Sequence, residues 1–194
     1  MKLVFASSNP NKLKEIIAIA PPNIQIVGLK ELGFEGELEE TQTTIEGNSL
    51  QKAEFISSKF NVPCFAEDTG LEIEALNNEP GVYSARYAGK KEGFIDNVAK
   101  VLTKMEGIKN RKAQFKTVIT YYNQGKYVQF EGITEGEITL ERHGEGGFGY
   151  DCIFIPLNSG KTYAEMTQNE KNRLSHRKKS FEKFANHLAA LSVL

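Results

Sequence analysis

Paired cysteines, clustered histidines, long apolar runs and a charge surplus are all missing from this 194-residue chain. The two cysteines, Cys64 and Cys152, stand far apart, and His143, His176 and His187 are scattered. Such spacing supplies neither a zinc-ligand set nor a disulfide framework. The apolar run Leu3-Val4-Phe5-Ala6 stops at Ser7-Ser8-Asn9-Pro10, too soon for a secretory h-region. No stretch approaches the ~20 apolar residues of a membrane span. A cytoplasmic location is therefore expected. Charges balance, with 24 Lys and Arg against 25 Asp and Glu. General nucleic-acid binders normally carry a basic excess, so that class is disfavoured, while a small cationic pocket for one polyanion is not. What remains is ordinary globular composition, 40% hydrophobic and 25% charged. The length suits one domain with a sizeable core or two closely joined lobes, and with no repeat or linker residues 1–194 are read as a single domain.

Lys2–Ala6 reads as a buried strand, and Asn9-Pro10 as a helix start, since Asn caps well and Pro suits the first helical position. Leu13, Ile16, Ile17 and Ala20 give that helix its stripe, and Pro21-Pro22 ends it. Ile24–Leu29 is a second strand, Glu35–Glu46 an acidic loop, and Asn48–Phe60 a helix. Cys64–Ala66 and Leu71–Ala75 read as strands separated by a break at Glu67-Asp68-Thr69-Gly70. Phe94–Met105 reads as a third helix. Ala113–Tyr122 and Lys126–Gly136 form a hairpin around Asn123-Gln124-Gly125. Ile153–Pro156 is a last strand, and Asn169–Leu191 one long helix with Leu174, Phe181, Phe184, Leu188 and Leu191 as its apolar face. This order predicts an α/β fold, a mixed twisted sheet flanked by helices.

Two motif matches are accidental. Gly144-Glu145-Gly146-Gly147-Phe148-Gly149 spells a dinucleotide fingerprint, but it leads into a strand pattern rather than opening a helix. Gly160-Lys161-Thr162 resembles the end of a P-loop, yet Ile155 stands where its first glycine belongs. The better anion site is Ser7-Ser8-Asn9-Pro10-Asn11-Lys12, where a strand gives way to a helix N-terminus with free N–H groups. Lys12 there opposes the helix dipole, and a capped helix with a solvated lysine is the plainer reading. Glu67-Asp68-Thr69-Gly70 suits Mg²⁺ or general-base work, although Asp and Gly are also ordinary turn residues. Glu39-Glu40 and Lys52 alone would pass for surface. Four glycines around Phe148 and Tyr150 could bring backbone and a stacking ring to a base, or could simply form a hairpin tip.

In their order these segments resemble the inosine triphosphate pyrophosphatase family. The match runs through Ser7-Ser8-Asn9-x-x-Lys12-x-x-Glu15, Asn48-x-x-x-Lys52-Ala53 and Glu67-Asp68-Thr69-Gly70-Leu71. It continues through Pro80-Gly81-Val82-Tyr83-Ser84-Ala85-Arg86-Tyr87, Gly146–Asp151 and Ser175-His176-Arg177. Each motif is weak singly; six in one order along nearly the whole chain are specific. The resemblance implies an elongated two-lobed fold with a central nucleotide cleft, usually a homodimer, and Mg²⁺-dependent hydrolysis of ITP, dITP or XTP to monophosphate and pyrophosphate. It implies that Ser7, Ser8, Asn9, Pro10, Asn11, Lys12 and Lys52 hold the triphosphate. Asp68 would activate water and, with Glu39, approach the metal, while Thr69 touches substrate. Phe148, Gly149, Tyr150 and Asp151 would form the base loop, and Lys171, His176 and Arg177 would close the pocket. Arg177, which only donates, would favour a 6-oxo purine over adenine.

Two rival readings follow. A dNTPase of the septum-inhibitor-related type would share fold and reaction but prefer other bases, and His176-Arg177 with the glycine-aromatic loop weighs against it. A nucleotide sensor without turnover would not need Asp68 and its lysines.

Overall fold

The computed structural model describes residues 2–89 and 97–191. In chain order it forms β1 (Lys2–Phe5), α1 (Pro10–Ile19), β2 (Gln25–Val27), α2 (Ile45–Phe60), β3 (Cys64–Ile73) and β4 (Glu79–Pro80). These are followed by α3 (Asn97–Lys104), β5 (Lys112–Asn123), β6 (Lys126–Ile138), β7 (Phe154–Pro156), α4 (Gln168–Leu174) and α5 (His176–Leu191). The strands make a mixed sheet in the order β2-β1-β3-β5-β6-β7, with β4 also on β3. β1 is parallel to β2 and β3, whereas β4 on β3 and β7 on β6 are antiparallel. The fold is α/β, helices flanking a mixed sheet. Among the described residues no helix is long and apolar enough to cross a membrane.

The chain gathers into two compact units, each built from separated stretches. The first comprises Met1–Asp68, Thr117–Gly132 and Arg177–Leu194. Its strands send alternate residues to opposite faces, as a period of two requires. Leu3, Phe5 and Phe65 pack with Ile16 of α1 and with Phe181, Phe184 and Leu188 of α5. Val4, Ala6, Cys64 and Ala66 pack with Ala53 and Ile56 of α2. The second unit, Thr69–Lys116 and Ile133–His176, has its own core around Leu71, Ile73, Val101, Phe115, Ile153, Phe154 and Tyr163.

Several boundaries differ from the sequence expectation. The break at Glu67–Gly70 does not exist: β3 runs unbroken from Cys64 to Ile73, so the acidic pair lies inside a strand. Helix α2 begins at Ile45, capped by Thr44, whose hydroxyl accepts from Gly47 N–H at 3.0 Å. The long C-terminal helix is two helices, parted at Ser175, whose backbone is extended (ψ 131°). Leu191, assigned to the apolar face, is largely exposed. Of the third helix, α3 covers Asn97–Lys104, and the start expected at Phe94 lies outside the described residues. The expected hairpin is present with longer strands, Lys112–Asn123 and Lys126–Ile138, so its turn is the two residues Gln124 and Gly125, both at positive φ, the signature of a type I′ turn.

Gly136 is a close-approach position on the β6–β7 ladder, opposite Pro156. A Cβ there would sit 2.2 Å from the Ile155 carbonyl oxygen and 2.7 Å from the Phe154 ring. Gly136→Ala is expected to lower stability by about 1–3 kcal/mol, the usual range for overpacking. Urea unfolding checks this, and a midpoint equal to the parent's would reject the packing just given.

Candidate active site

Consecutive residues of a strand face opposite ways, so β3 presents Asp68 toward α2 and Glu67 toward α1 and α5. Asp68 is buried. Its Oδ1 accepts from Lys52 Nζ at 3.0 Å, and its Oδ2 from Asn48 Nδ2 at 3.5 Å. Asn48 and Lys52 are four apart on α2, which stacks them on one helix face. Lys52 Nζ also donates to Glu40 Oε1 at 2.5 Å. Burial lifts the Asp68 pKa above the ordinary carboxylate range, outweighing the opposing pull of Lys52 and Lys12. Burial would depress Lys52, but the carboxylates of Asp68 and Glu40 together prevail and raise it.

Glu39, expected at the metal, is exposed, and the carboxylate that the loop brings to Lys52 is that of Glu40. Neighbouring glutamates in an irregular loop carry no periodicity by which sequence could choose between them. Among the described residues no group of three or more His, Cys, Asp or Glu side chains is placed to hold a metal. Two carboxylates with hard oxygen donors nonetheless suit Mg²⁺, which is usually held by one or two carboxylates plus substrate phosphates.

Glu67, on the other face, is also buried. It accepts a fork from Arg177, Nε to Oε2 and Nη2 to Oε1, both at 2.8 Å. Arg177 Nη1 donates to Glu15 of α1, and Lys12 Nζ lies 3.3 Å from Glu67 Oε1. Lys12 thus gains a structural partner that the sequence did not reveal. Arg177 is 2% exposed, with its guanidinium spread over two carboxylates. It thereby ties β3 to α1. At the start of α1, Asn9 Oδ1 accepts from Asn11 N–H at 2.9 Å and Lys12 N–H at 3.3 Å. The cap itself thereby takes two of the helix donors that were expected to meet an anion. Ser7 is half-buried, with its Oγ accepting from Asn9 N–H, while Ser8, Pro10 and Asn11 are exposed.

The remaining candidates lie in the second unit. Asp151 is buried; its Oδ2 accepts from Lys171 Nζ at 2.7 Å and from Phe148 N–H at 2.8 Å. Lys171, also buried, stands 4.9 Å from the centre of the Phe148 ring. Gly147, at φ 71°, could carry no side chain here, because a Cβ would lie 2.1 Å from Asp151 Oδ2. Tyr150 is buried and donates to the Ser84 carbonyl at 2.8 Å, leaving Phe148 and Gly149 as the more accessible part of the loop. Thr69 is half-buried. His176 is buried and stacked on Phe115, with centroids 4.8 Å apart.

A family model described as the Ham1 family matches residues 3–187. The chain belongs to the Ham1 family. It is 49% identical to the dITP/XTP pyrophosphatase of Flavobacterium johnsoniae, over 98% of this chain and 99% of that one. Among solved structures it resembles the Ham1 protein of Staphylococcus aureus, with a TM-score of 0.88, 36% identity and coverage of 98% and 99% of the two chains. A HAM1 protein from Coxiella burnetii gives a TM-score of 0.89 at 35% identity, with the same coverage.

Within this Ham1 fold, sequence reasoning weighed Glu40 only beside Glu39 and as surface, and gave no role to Glu15 or Asn48, although both stood in the quoted motifs. Glu15 could have been found from its position: it is the residue before Ile16 on the buried stripe of α1, where an unpaired carboxylate would be costly. Arg177→Met should leave Glu67 and Glu15 short of a buried counter-charge. Stability is expected to fall by about 3–5 kcal/mol, the range for breaking a buried pair from one side. Denaturant unfolding measures it, and a loss below about 1 kcal/mol, typical of a surface pair, would assign Arg177 another task.

Proposed function

We propose that the chain is a nucleoside-triphosphate pyrophosphatase that converts non-standard purine nucleotides (ITP, dITP and XTP) to the monophosphate and pyrophosphate. The observation that carries this reading is the buried Asp68 held by Lys52, with Glu40 on the same ammonium, in a chain whose relatives bear the name dITP/XTP pyrophosphatase. Phosphoryl transfer needs positioning and charge neutralisation more than covalent chemistry. Asp68, with its raised pKa, is suited to accept a proton from water directed at the α-phosphorus. Lys52 and Lys12, with Ser7, Ser8, Asn9, Pro10 and Asn11 of the α1 turn, are assigned to the triphosphate. Asp68 and Glu40 would hold Mg²⁺, which when bound neutralises charge on the phosphate oxygens.

Base recognition is assigned to the Phe148–Asp151 loop, where the half-buried Phe148 ring can stack while Asp151 and Lys171 hold the loop's shape. Arg177 and His176 support the site through Glu67 and Phe115 respectively. The same reading takes the protein as a cytoplasmic homodimer that engages no nucleic acid or membrane.

ITP, XTP, dITP and the standard nucleotides, assayed with separate detection of pyrophosphate and orthophosphate, test this reading. Pyrophosphate with the monophosphate is expected from the non-standard purines; orthophosphate with accumulating diphosphate would reject attack at the α-phosphorus. Asp68→Asn keeps the side chain's size but loses its charge and its capacity as a base. Its kcat is expected to fall by at least ~10²-fold, the lower end of a general-base contribution. Near-parent turnover at saturating Mg²⁺ would reduce Asp68 to a structural residue.

A further inference from the structure

We propose that Asn48 is a positioning residue that keeps the Glu40 loop and the Asp68 carboxylate in a common register, an inference resting on the reading of those two carboxylates given above. Asn48 is 0% exposed. Its two ends do different things: Oδ1 accepts from Gln42 N–H at 2.9 Å, and Nδ2 donates to Asp68 Oδ2 at 3.5 Å. The loop is tied to α2 at three successive residues. Glu40 meets Lys52, Thr41 meets Gln51, and Gln42 meets Asn48. The middle tie is reciprocal, Thr41 N–H to Gln51 Oε1 at 3.0 Å and Gln51 Nε2 to Thr41 Oγ1 at 2.9 Å. Asn48 belongs to both sides of this arrangement, since it touches the loop two residues after Glu40 and also touches Asp68.

The side-chain type fits that double duty. A neutral carboxamide offers an acceptor and a donor at one branched end, and it adds no charge beside Asp68. Aspartate at this position would keep the acceptor for Gln42 but set a second carboxylate against Asp68. Leucine would fill the space and serve neither neighbour. A residue that merely capped the loop would have no need of the contact to Asp68. Groups that orient ligating or catalytic carboxylates typically govern metal affinity or activity by about 10–100-fold.

Asn48→Leu and Asn48→Asp separate the two roles. The readouts are Mn²⁺ affinity without nucleotide, by electron paramagnetic resonance, and kcat and KM for ITP. Unfolding curves set the folded fraction to which kcat is normalised. Both variants are expected to lose kcat by about 10-fold or more with KM little changed, since the effect falls on the carboxylates and not on the triphosphate grip. Asn48→Leu should also weaken Mn²⁺ by about 10-fold or more. Parent-like kcat per folded molecule in Asn48→Asp would overturn the proposal, as would parent-like Mn²⁺ affinity in a folded Asn48→Leu. Should the leucine variant fail to fold, the isosteric aspartate variant decides. Asp68→Asn, run alongside, keeps the two levels apart. If it retains turnover and Mn²⁺ affinity, the reading of the site itself fails; if it loses both while the Asn48 variants do not, only the Asn48 inference fails.

Discussion

Two buried carboxylates in consecutive positions of one strand set the terms for the first unit. Removing an ion from water costs several kcal/mol even after relaxation. A single opposite charge about 4 Å away returns about 4 kcal/mol at an effective dielectric constant near 20. One partner per carboxylate therefore comes close to break-even, and both residues have more than one. Glu67 takes the Arg177 fork and Lys12; Asp68 takes Lys52 and Asn48. Because the pair faces opposite sides of β3, the partners must come from opposite layers. That requirement fixes the rotation of α1 and α2 about their axes and the place where α5 begins.

The second unit uses the same device on a smaller scale. Asp151 is a buried acid with one buried cation, Lys171, and one backbone donor, Phe148 N–H. Here the acid closes a glycine-rich loop upon itself. The apolar surroundings of Lys171, which include the Phe148 and Tyr163 rings, add cation–π attraction to the ion pair. These contacts tie a glycine-rich loop that is also held by the Gly146 N–H bond to the Ala164 carbonyl at 3.1 Å.

The elements with clear apolar periodicity were legible from sequence: β1, α1, the β5–β6 hairpin and the body of α2. Positions where polar residues sit inside regular structure were not. Glu67-Asp68-Thr69-Gly70 looks like a turn because its residue types favour turns; it is strand because neighbouring layers neutralise the acids. Ser175 parts α4 from α5 without glycine or proline, so the charged stretch on either side reads as one helix. The six ordered motifs drew attention to residues that the structure buries and pairs, yet spacing could not say which of them would meet each other. Arg177 is the clearest instance, since its carboxylate partners are 110 and 162 residues away in sequence.

Lys52 does within the chain what a bound ion does in other small domains. In metal-nucleated domains the ion's binding energy is folding energy, and the apo chain stays unfolded. Here an ammonium carried on α2 already lies against both Asp68 and Glu40. The repulsion between these acids is relieved by a charge covalently part of the polypeptide. The counter-charge that lets Asp68 be buried and Glu40 approach it is thus built into the polypeptide rather than drawn from solution.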